Sequence, residues 1–491
     1  MSGLIRISGG ATVNTPGGGG GSSSNTAPTI RNFRAENVSS TTITIKYIAE
    51  DAENAMLRSY IYINDSKKEI TRDVKINEET HEYEYTLTKL TKNTPYKLQV
   101  EVSDSLDTVR SDVINISTKD YIIYGVRINE NNSNPDTCVE YIEDCIGFTP
   151  IERGLDSYNI QDYFVLKSWD YKFPFSEIEL VGFKDGVETK KINPNGKNQY
   201  MDNSPVPADV DIMAKIPKIY WKFTTVDSNC YEIRISNNKF EGSDCYAHKV
   251  NGVEKDYIYI GVYLGCEENG KLRSKVNVYP TENTIDYLRN LAQANGSGYQ
   301  QMTWFTQMLL QIIYVFAFKS LHSVKNLGLS AHAKHQTGQT KYRNTLFYFG
   351  AKGGLNPNVV CYIEDAWSYF NVFFDGITET LTDGKTRQIK IQTKNSSFED
   401  TANYDFSVSI NKNKTWGYIN KVNHTNETGF LPIDATGSNE TYYCGQCALT
   451  SQGENLCYMQ TSDNRSKVGF FATRSAVRTT KGYSRLVYLG E

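Results

Sequence analysis

The fold of most of this chain is decided by residues 303–318, which read Thr303-Trp304-Phe305-Thr306-Gln307-Met308-Leu309-Leu310-Gln311-Ile312-Ile313-Tyr314-Val315-Phe316-Ala317-Phe318. In a helix built from this stretch, apolar side chains point to almost every side, so we expect it to be buried on most faces. The run is too short and, at Gln311, too polar to cross a bilayer, because a membrane-spanning helix needs about 20 apolar residues. The stretch therefore predicts a buried helix of a globular domain and no membrane insertion.

The chain around this helix mixes strands, long loops and one further helix. Residues 285–294 place Ile285, Leu288 and Leu291 on one side, which predicts a second helix with one apolar face. Beyond residue 350, Gly, Asn and Thr dominate the sequence, and we expect long irregular loops there. We interpret residues 121–491 as one large region of mixed α+β structure.

Residues 28–120 show a different pattern, in which short runs of alternating apolar and polar residues are separated by turn residues. The runs are Thr42–Tyr47, Tyr60–Ile63, Tyr83–Leu87, Lys97–Val102 and Val113–Ile116. Alternation with a period of two predicts half-buried strands. Short strands at this spacing predict an all-β sandwich.

Residues 1–27 are built around Gly17-Gly18-Gly19-Gly20-Gly21 and the three serines that follow. Because ordering Gly costs the most backbone entropy, this composition predicts a flexible tether. The preceding run Leu4–Ser8 alternates weakly and could add as a strand to a neighbouring protein, with a disordered tail as the alternative. We hypothesise that residues 1–27 form an attachment segment.

Composition and motifs exclude several classes of function. The chain of 491 residues has a net charge of −4 and no long Lys/Arg tract, so we expect no nucleic-acid partner. The amino terminus lacks the cationic and apolar regions of a secretory signal, which predicts synthesis and folding in the cytoplasm. No phosphate-binding loop, dinucleotide fingerprint, nucleophile elbow or His-Glu-x-x-His motif occurs.

Three features of residues 28–120 carry a family resemblance: Pro28 in the first strand, Leu90–Tyr96 before the sixth strand, and Val100–Asp104 within it. Together they resemble a fibronectin type III domain. The resemblance implies that Tyr96 forms a tyrosine corner, in which its hydroxyl bonds to upstream backbone. Tyr47 stands where the family usually carries Trp. Such modules commonly serve as spacers or adhesive units.

A second resemblance rests on five stretches of residues 121–491, namely Lys215–Phe223, Asp256–Tyr263, Leu288–Met302, Trp367–Gly376 and Gly482–Tyr488. In this order and spacing they resemble the carboxy-terminal domain of phage minor structural and tail-fibre proteins of Gram-positive hosts. Members of that group are similar to C-type-lectin-like domains, in the fold shared with formylglycine-generating enzymes. The resemblance implies that the last strand returns beside the opening strands and that loops project from one side.

The resemblance implies a receptor-binding or tail-fibre protein of a phage or tail-like particle, and hence a location in the virion. Residues 1–27 would contact baseplate or tail proteins, and the carboxy-terminal loops would contact a bacterial surface glycan or surface-layer protein. A homotrimer is expected by analogy with tail fibres, and several copies would let weak contacts sum into firm attachment. A structural baseplate component without host contact is an alternative. We expect no catalytic residue, no metal and no cofactor.

Cys444-Gly445-Gln446-Cys447, with Cys457 downstream, raises the question of redox chemistry, because formylglycine-generating enzymes use closely placed cysteines. A C-x-x-C pair can carry a reactive thiolate, form a disulfide or bind zinc. Zinc needs four ligands, and only three cysteines and no histidine lie nearby. In a chain with nine cysteines and no secretory signal, the pattern favours buried structural thiols. A local disulfide and a metal or redox role are the alternatives.

His322, His332 and His335 raise the question of a transition-metal site. On a helix, His332 and His335 would share a face, but the Gly, Gln and Thr residues around them indicate a loop. We therefore favour surface or hydrogen-bonded histidines over metal ligands.

Glu364, Asp365 and Asp375 are the carboxylates that a polysaccharide hydrolase would use, since glycosidases need a facing pair of carboxyl groups. Neighbouring residues of an extended strand point to opposite faces, which makes Glu364 and Asp365 a poor pair. A cell-surface polysaccharide hydrolase remains an alternative function.

Aromatic and amide side chains concentrate in residues 403–448. Aromatic faces stack on sugar rings or peptides and amides form hydrogen bonds with them, so exposed groups of both kinds on rigid loops make a binding surface. Burial of Trp416 in the core is the alternative. The candidate ligand contacts are Tyr404, Trp416, Tyr418, Asn420, Asn423, Tyr442 and Tyr443.

Overall fold

The computed structural model describes residues 25–53, 55–156, 161–195, 198–328, 334–340, 346–348, 357–368, 370–381, 385–396, 398–399, 403–411, 416–449, 451, 453–460 and 469–490. Strands account for 44% and helices for 9% of the structure, so the β-rich character is confirmed. Two compact units are present. One comprises the described chain up to Val38 with Thr42–Thr118, and the other comprises Ser39–Thr41 with the described chain from Lys119 onward.

The first unit is a sandwich of two antiparallel sheets. Its strands are β1 (Thr29–Val38), β2 (Ile43–Glu50), β3 (Arg58–Ile63), β4 (Ser66–Glu69), β5 (Lys75–Asn77), β6 (Glu82–Leu87), β7 (Pro95–Ser103), β8 (Thr108–Arg110) and β9 (Ile114–Ser117). One sheet has the order β1-β2-β6-β5, and the other has the order β4-β3-β7-β8 with β9 also paired to β7. The predicted β-sandwich is therefore confirmed.

Alternating side chains of both sheets fill the core of this sandwich. Ile43, Ile45 and Tyr47 of β2 are fully buried, as are inward-facing residues of β3 and β7. The Tyr47 ring stacks on Tyr83 with the ring centres 5.1 Å apart. The Tyr96 hydroxyl accepts a hydrogen bond from the backbone N–H five residues upstream, at 2.8 Å, which is the contact expected of a tyrosine corner.

The described residues of the second unit form three α-helices and many strands in several sheets. Its helices are α1 (Ile285–Gln293), α2 (Trp304–Phe318) and α3 (Ser323–Leu327). Short 3-10 helices span Lys167–Trp169, Phe175–Glu177 and Tyr246–His248. Its strands are β10 (Tyr124–Asn129), β11 (Val139–Glu143), β12 (Glu152–Asp156), β13 (Gln161–Val165), β14 (Glu179–Lys184), β15 (Val187–Lys191), β16 (Asp211–Pro217), β17 (Tyr220–Asp227), β18 (Cys230–Ser236), β19 (Lys249–Val250), β20 (Val253–Glu254), β21 (Tyr257–Gly261), β22 (Cys266–Glu268), β23 (Lys271–Arg273), β24 (Tyr299–Gln301), β25 (Phe347–Tyr348), β26 (Val359–Val360), β27 (Ile363–Glu364), β28 (Val372–Leu381), β29 (Thr386–Ile391), β30 (Phe406–Asn411), β31 (Trp416–Tyr418), β32 (Lys421–Asn423), β33 (Leu431–Asp434), β34 (Gln446–Ala448), β35 (Gly453–Gln460), β36 (Thr473–Ala476) and β37 (Leu486–Tyr488).

Three larger sheets organise this unit. Their strand orders are β11-β10-β18-β17, β15-β14-β16-β21-β37-β24 and β30-β29-β28-β35-β36-β34-β31. A smaller sheet, β25-β26-β27, and the hairpins β12-β13, β19-β20, β22-β23 and β32-β33 complete it. The last strand, β37, pairs with β21 and β24, so it lies beside strands from the middle of the chain. The closing strand does return into a sheet, but the expectation that it lies beside the opening strands of the region is wrong, since β10 and β11 belong to another sheet.

Helix α2 lies inside this unit, and every one of its 15 residues is buried. Polar contacts fix it from several directions. Tyr141 donates its hydroxyl hydrogen to the Phe316 carbonyl oxygen at 2.6 Å. The Gln311 side-chain N–H donates to the Phe470 carbonyl oxygen at 2.9 Å. This hydrogen bond offsets part of the cost of burying a polar side chain in the core. The predicted buried helix is confirmed, and so is the second predicted helix, which is α1.

The expectation of irregular loops beyond residue 350 is wrong, because that region contains the seven-stranded sheet. In β28, nearly every residue from Val372 to Leu381 is buried. A strand buried on both faces shows no alternation of apolar and polar residues, so its sequence lacks the usual strand signal. The Gly, Asn and Thr residues between the strands led to the prediction of loops in place of the sheet.

No helix within the described portion of the chain combines the length and the apolar character needed to cross a membrane.

The start of α2 offers a test of how strongly the core depends on this helix. Thr303 is its N-cap: the hydroxyl accepts from the Thr306 N–H at 3.2 Å, and the Thr306 hydroxyl accepts from the Thr303 N–H at 2.9 Å. We expect Thr303→Ala to lower the free energy of unfolding by about 1–2 kcal/mol, because the buried Thr306 N–H group loses its acceptor, the Thr303 hydroxyl.

Tryptophan fluorescence during chemical denaturation measures this effect selectively, since all five tryptophans of the chain lie after residue 119. Thr149→Ala is the matched control, because Thr149 is exposed. Equal stability of both variants would show that the cap does not stabilise the helix.

Candidate binding site

Trp416 lies on β31, the edge strand of the seven-stranded sheet, and its side chain is 63% exposed. The alternative that Trp416 fills the core is therefore wrong. Tyr418, on the same strand, and Tyr442 are half-buried. We call these three residues the aromatic edge. They offer large, partly desolvated ring surfaces on a paired strand and an adjoining turn.

Close backbone packing holds the aromatic edge in place. β31 pairs with β34, where Trp416 lies opposite Ala448. Gly437 donates its N–H to the Tyr418 carbonyl oxygen at 2.9 Å. A Cβ at Gly437 would lie 3.2 Å from the Tyr442 ring, so the ring rests directly on this glycine. The Tyr418 backbone and the Tyr442 ring are thus neighbours across Gly437.

A polar depression adjoins the aromatic edge. It encloses about 390 Å³ and is lined by Ser133, Asn134, Pro135, Asp136, His322, Lys325, Glu440 and Thr441. The Tyr442 N–H donates to the Ser133 carbonyl oxygen at 2.9 Å, which ties the last aromatic residue to the rim. We call this depression the polar bowl. Its carboxylate, amide, imidazole and ammonium groups give it both donors and acceptors.

Paired charges line the polar bowl. Lys325 and Asp136 form an ion pair, and Ser320 donates its hydroxyl hydrogen to Asp136 at 2.9 Å. Burial raises the pKa of Asp136, but the hydrogen bonds from Lys325 and Ser320 outweigh this effect and leave the pKa below its ordinary value. His322 accepts a hydrogen bond from the Lys325 N–H at 3.2 Å, and its Nε2 lies 3.3 Å from Glu440.

The structure separates the predicted contact residues. Tyr404 is half-buried and precedes β30, at the opposite edge of the sheet from β31, so it is not part of the aromatic edge. Tyr443 is fully buried, and its prediction as a ligand contact is wrong. Its ring packs against Phe471, with the ring centres 5.5 Å apart.

Asn420 and Asn423 shape loops through their side-chain oxygens. The Asn420 side-chain oxygen accepts from the Thr436 N–H at 2.8 Å. The Asn423 side-chain oxygen accepts from the Thr428 hydroxyl at 3.0 Å. These hydrogen bonds stabilise turns, as Asn side chains that bond to nearby backbone and hydroxyl groups do, and both residues stay predicted ligand contacts.

A buried carboxyl group that sequence reasoning missed anchors this region. Glu130 Oε1 accepts hydrogen bonds from the Tyr443 hydroxyl at 2.7 Å and from the Val422 N–H at 3.1 Å. The Tyr443 hydroxyl also lies 2.8 Å from the Tyr231 hydroxyl. Burial raises the pKa of Glu130 to about 7, against the lowering effect of the two hydrogen bonds. Glu130 sits in an Asn-rich loop, and nothing in the local sequence distinguishes it from an exposed glutamate.

The C-x-x-C pair has no reactive environment. All nine cysteines are buried thiols, as expected for structural cysteines. Burial raises the pKa of Cys447 and of Cys457 to about 12, and it also raises the pKa of Cys444. A thiol with a raised pKa carries little thiolate at neutral pH and is a poor nucleophile.

The predicted histidines do not assemble a metal centre within the described residues. His322 caps α3, and His335 is buried with its Nε2 2.9 Å from Asp365. His332 lies outside the described residues. Across the described ranges, no cluster of three or more His, Cys, Asp or Glu side chains is arranged to hold a metal ion.

The three carboxylates considered for hydrolysis are buried and engaged in hydrogen bonds. Asp375 accepts from Arg289 and from the Gln301 side chain at 2.7 Å. Glu364 accepts from the backbone N–H groups of residues 338 and 340. Asp365, the partner of His335, has a left-handed backbone with φ of 56°. These hydrogen bonds stabilise the fold. Among the described residues, the three carboxylates do not form a facing pair in a cleft.

The raised pKa of Glu130 predicts a pH-dependent stability. Between about pH 4.5 and 7 the unfolded carboxyl ionises while the folded one stays protonated, so stability falls as the pH rises through this window and stays low above it. We expect Glu130→Gln, which mimics the neutral form, to remove this pH dependence. At pH 8 its free energy of unfolding should exceed that of the parent chain by about 3 kcal/mol.

Denaturation curves from pH 4.5 to 8, followed by tryptophan fluorescence, measure the slope. Glu177→Gln is the control, because Glu177 is exposed. If the free energy of unfolding depends on pH in the same way in Glu130→Gln and in the parent chain, the pKa of Glu130 is not raised in the folded state. The role assigned to this buried carboxyl group would then be wrong.

Comparison with known proteins adds no identity to this geometry. No protein-family model matches the chain, and no curated protein sequence matches it significantly. The structure of a Kfla1895 mutant in complex with isomaltose aligns with 8% identity over 40% of this chain and 28% of that chain, with a TM-score of 0.13. The structure described as "I-band fragment I67-I69 from titin" aligns with 10% identity over 48% of this chain and 93% of that chain, with a TM-score of 0.15. Similarity at this level carries no argument about fold or activity.

Proposed function

We propose that this chain is a non-enzymatic receptor-binding or tail-fibre protein of a phage or tail-like particle, which attaches to a glycan on the bacterial surface through the aromatic edge. The observation that carries the proposal is Trp416, which stands 63% exposed on an edge strand although most large aromatic residues of its unit are buried. Exposed Trp and Tyr side chains are costly in water and are typical of binding surfaces. Stacking on the rings of a sugar would use that surface.

The polar bowl supports a glycan as the ligand class. A sugar presents an apolar ring face together with hydroxyl groups, and the aromatic edge and the polar bowl offer partners for each. Tyr442 belongs to the aromatic edge and borders the polar bowl. A ligand that stacks on Tyr442 therefore reaches the carboxylate and imidazole groups of the bowl without rearrangement.

We infer that the first unit is a fibronectin type III module and that the second is C-type-lectin-like. The order β4-β3-β7 with β9 on β7, opposite β1-β2-β6, and the tyrosine corner at Tyr96 support the first assignment. The insertion of β37 between β21 and β24, with α1 packed against β24, supports the second. The fold assignments, like the phage context, rest on the sequence resemblance.

Attachment to the particle is assigned to residues 1–27, of which residues 1–24 lie outside the described chain. A Gly/Ser tether lets the binding units reach a surface while staying linked to baseplate or tail proteins. A homotrimer or several copies per particle would convert weak glycan contacts into firm attachment. A structural component without host contact is the second candidate, but it gives no reason for an exposed tryptophan on a sheet edge.

Substitution of Trp416 tests the proposal directly. We expect the labelled full-length chain to bind whole cells and cell-wall polysaccharide from at least one member of a panel of Gram-positive bacteria. Trp416→Ala should weaken this binding about tenfold or more, because a central aromatic contact carries a large share of binding energy. Tyr279→Ala is the matched control, since Tyr279 is 57% exposed and lies outside the aromatic edge.

Three results would count against the proposal. Absence of binding across the panel favours the structural component, and equal binding of Trp416→Ala and the parent chain removes the aromatic edge from the contact. Release of saccharide fragments during incubation would show that the chain is an enzyme.

A further inference from the structure

A second depression in the same unit differs from the polar bowl in composition, since no charged side chain occurs among its described lining residues. It encloses about 400 Å³, within the range of roughly 300–1,000 Å³ that is typical of small-molecule pockets. Its lining residues are Val250, Asn251, Ser297, Gly298, Gln300, Asn395, Ser396, Leu489 and Gly490. We call it the neutral pocket.

Four distant segments are tied together to build the neutral pocket. Asn251 donates its N–H to the Lys394 carbonyl oxygen at 2.8 Å, and Leu489 donates its N–H to the Gly298 carbonyl oxygen at 2.9 Å. The Asn395 side-chain N–H group donates to the Lys249 carbonyl oxygen at 3.0 Å and to the Tyr246 carbonyl oxygen at 2.5 Å. These hydrogen bonds hold the lining segments together, so the depression is a defined part of the fold.

Several polar groups of the neutral pocket lack a partner within the described residues. Asn395 is 2% exposed, and its side-chain oxygen has no hydrogen-bond donor. The Gln300 side-chain oxygen lies at the limit of hydrogen-bonding distance, 3.5 Å, from Gln293, and no acceptor is found for the Gln300 side-chain N–H group. Buried polar groups are usually satisfied, so an unpaired amide oxygen beside a depression indicates a missing partner.

The chemistry of the lining selects the class of ligand. Amide and hydroxyl side chains both donate and accept, which suits the hydroxyl groups of a sugar, and Val250 and Leu489 offer an apolar surface for the C–H face of its ring. A charged ligand would lose hydration without meeting an opposite charge, which is unfavourable. We propose that the neutral pocket is a second saccharide site, specific for an uncharged sugar unit. It shares no residue with the aromatic edge or the polar bowl, and it holds even if the aromatic edge binds no cell.

Ligand-observed NMR on the full-length chain tests this site. Saturation transfer is measured to glucose, galactose and N-acetylglucosamine as neutral probes, and to glucosamine and glucuronate as charged probes. We expect transfer to at least one neutral sugar and none to the charged ones. Gln300→Leu, which keeps the size of the side chain, and Asn251→Gly should each weaken binding about tenfold, since each removes hydrogen-bonding groups.

The control variants keep the two sites distinguishable. Asn251 has a left-handed backbone with φ of 50°, so glycine fits there without strain, and Asn269→Gly is the matched control because exposed Asn269, in another hairpin turn, has φ of 53°. Asn269→Gly should bind the neutral sugar as the parent chain does, whereas transfer that survives in both Gln300→Leu and Asn251→Gly comes from another site. Absence of transfer to every neutral sugar, preference for a charged sugar, or full binding by both Gln300→Leu and Asn251→Gly would overturn the inference.

Discussion

Burial of helix α2 on every face is the constraint on which the second unit depends. A helix of 15 buried residues has no face to offer to water, so strands and loops from distant parts of the chain must enclose it. Tyr141 lies 175 residues before Phe316, and Phe470 lies 159 residues after Gln311, yet both form hydrogen bonds with the helix. Sulfur and methylene groups of Met308 pack where a Cβ at Gly429 would stand, so glycine is required there. The helix therefore dictates which segments meet.

The enclosure of α2 determines which strands can present side chains to a ligand. Strands committed to the core place their large side chains inward, and β31 at the edge of its sheet is free to present Trp416 outward. The same segment is fastened to the core through Tyr443 and the buried carboxyl group of Glu130. A binding surface on such a support is preorganised, and a ligand pays little ordering entropy there. Rigid presentation of exposed aromatic rings supports the proposed role in recognition.

Local patterns were sufficient to predict some elements but not the candidate site. The periodicity of residues 285–294 and 303–318 predicted both longer helices, and alternation in residues 42–116 predicted the sandwich, because each signal lies within one element. Strand β28 escaped prediction because it is buried on both faces. Tyr442 and Tyr443 are adjacent and chemically identical, yet one is half-buried on the surface and the other is bonded to Glu130, 313 residues away. Such long-range partners leave no trace in the local sequence.

Hydrogen–deuterium exchange of the full-length chain, with and without bacterial cell-wall polysaccharide, tests the central claim most directly. If a rigid core built on α2 presents the aromatic edge to a glycan, the amides of α2 exchange slowest in both conditions. Added polysaccharide then slows exchange at residues 416–418 and 438–442 and leaves α2 unchanged. Rapid exchange throughout α2, or protection centred on Glu364 and Asp375 and absent from the aromatic edge, would contradict the account.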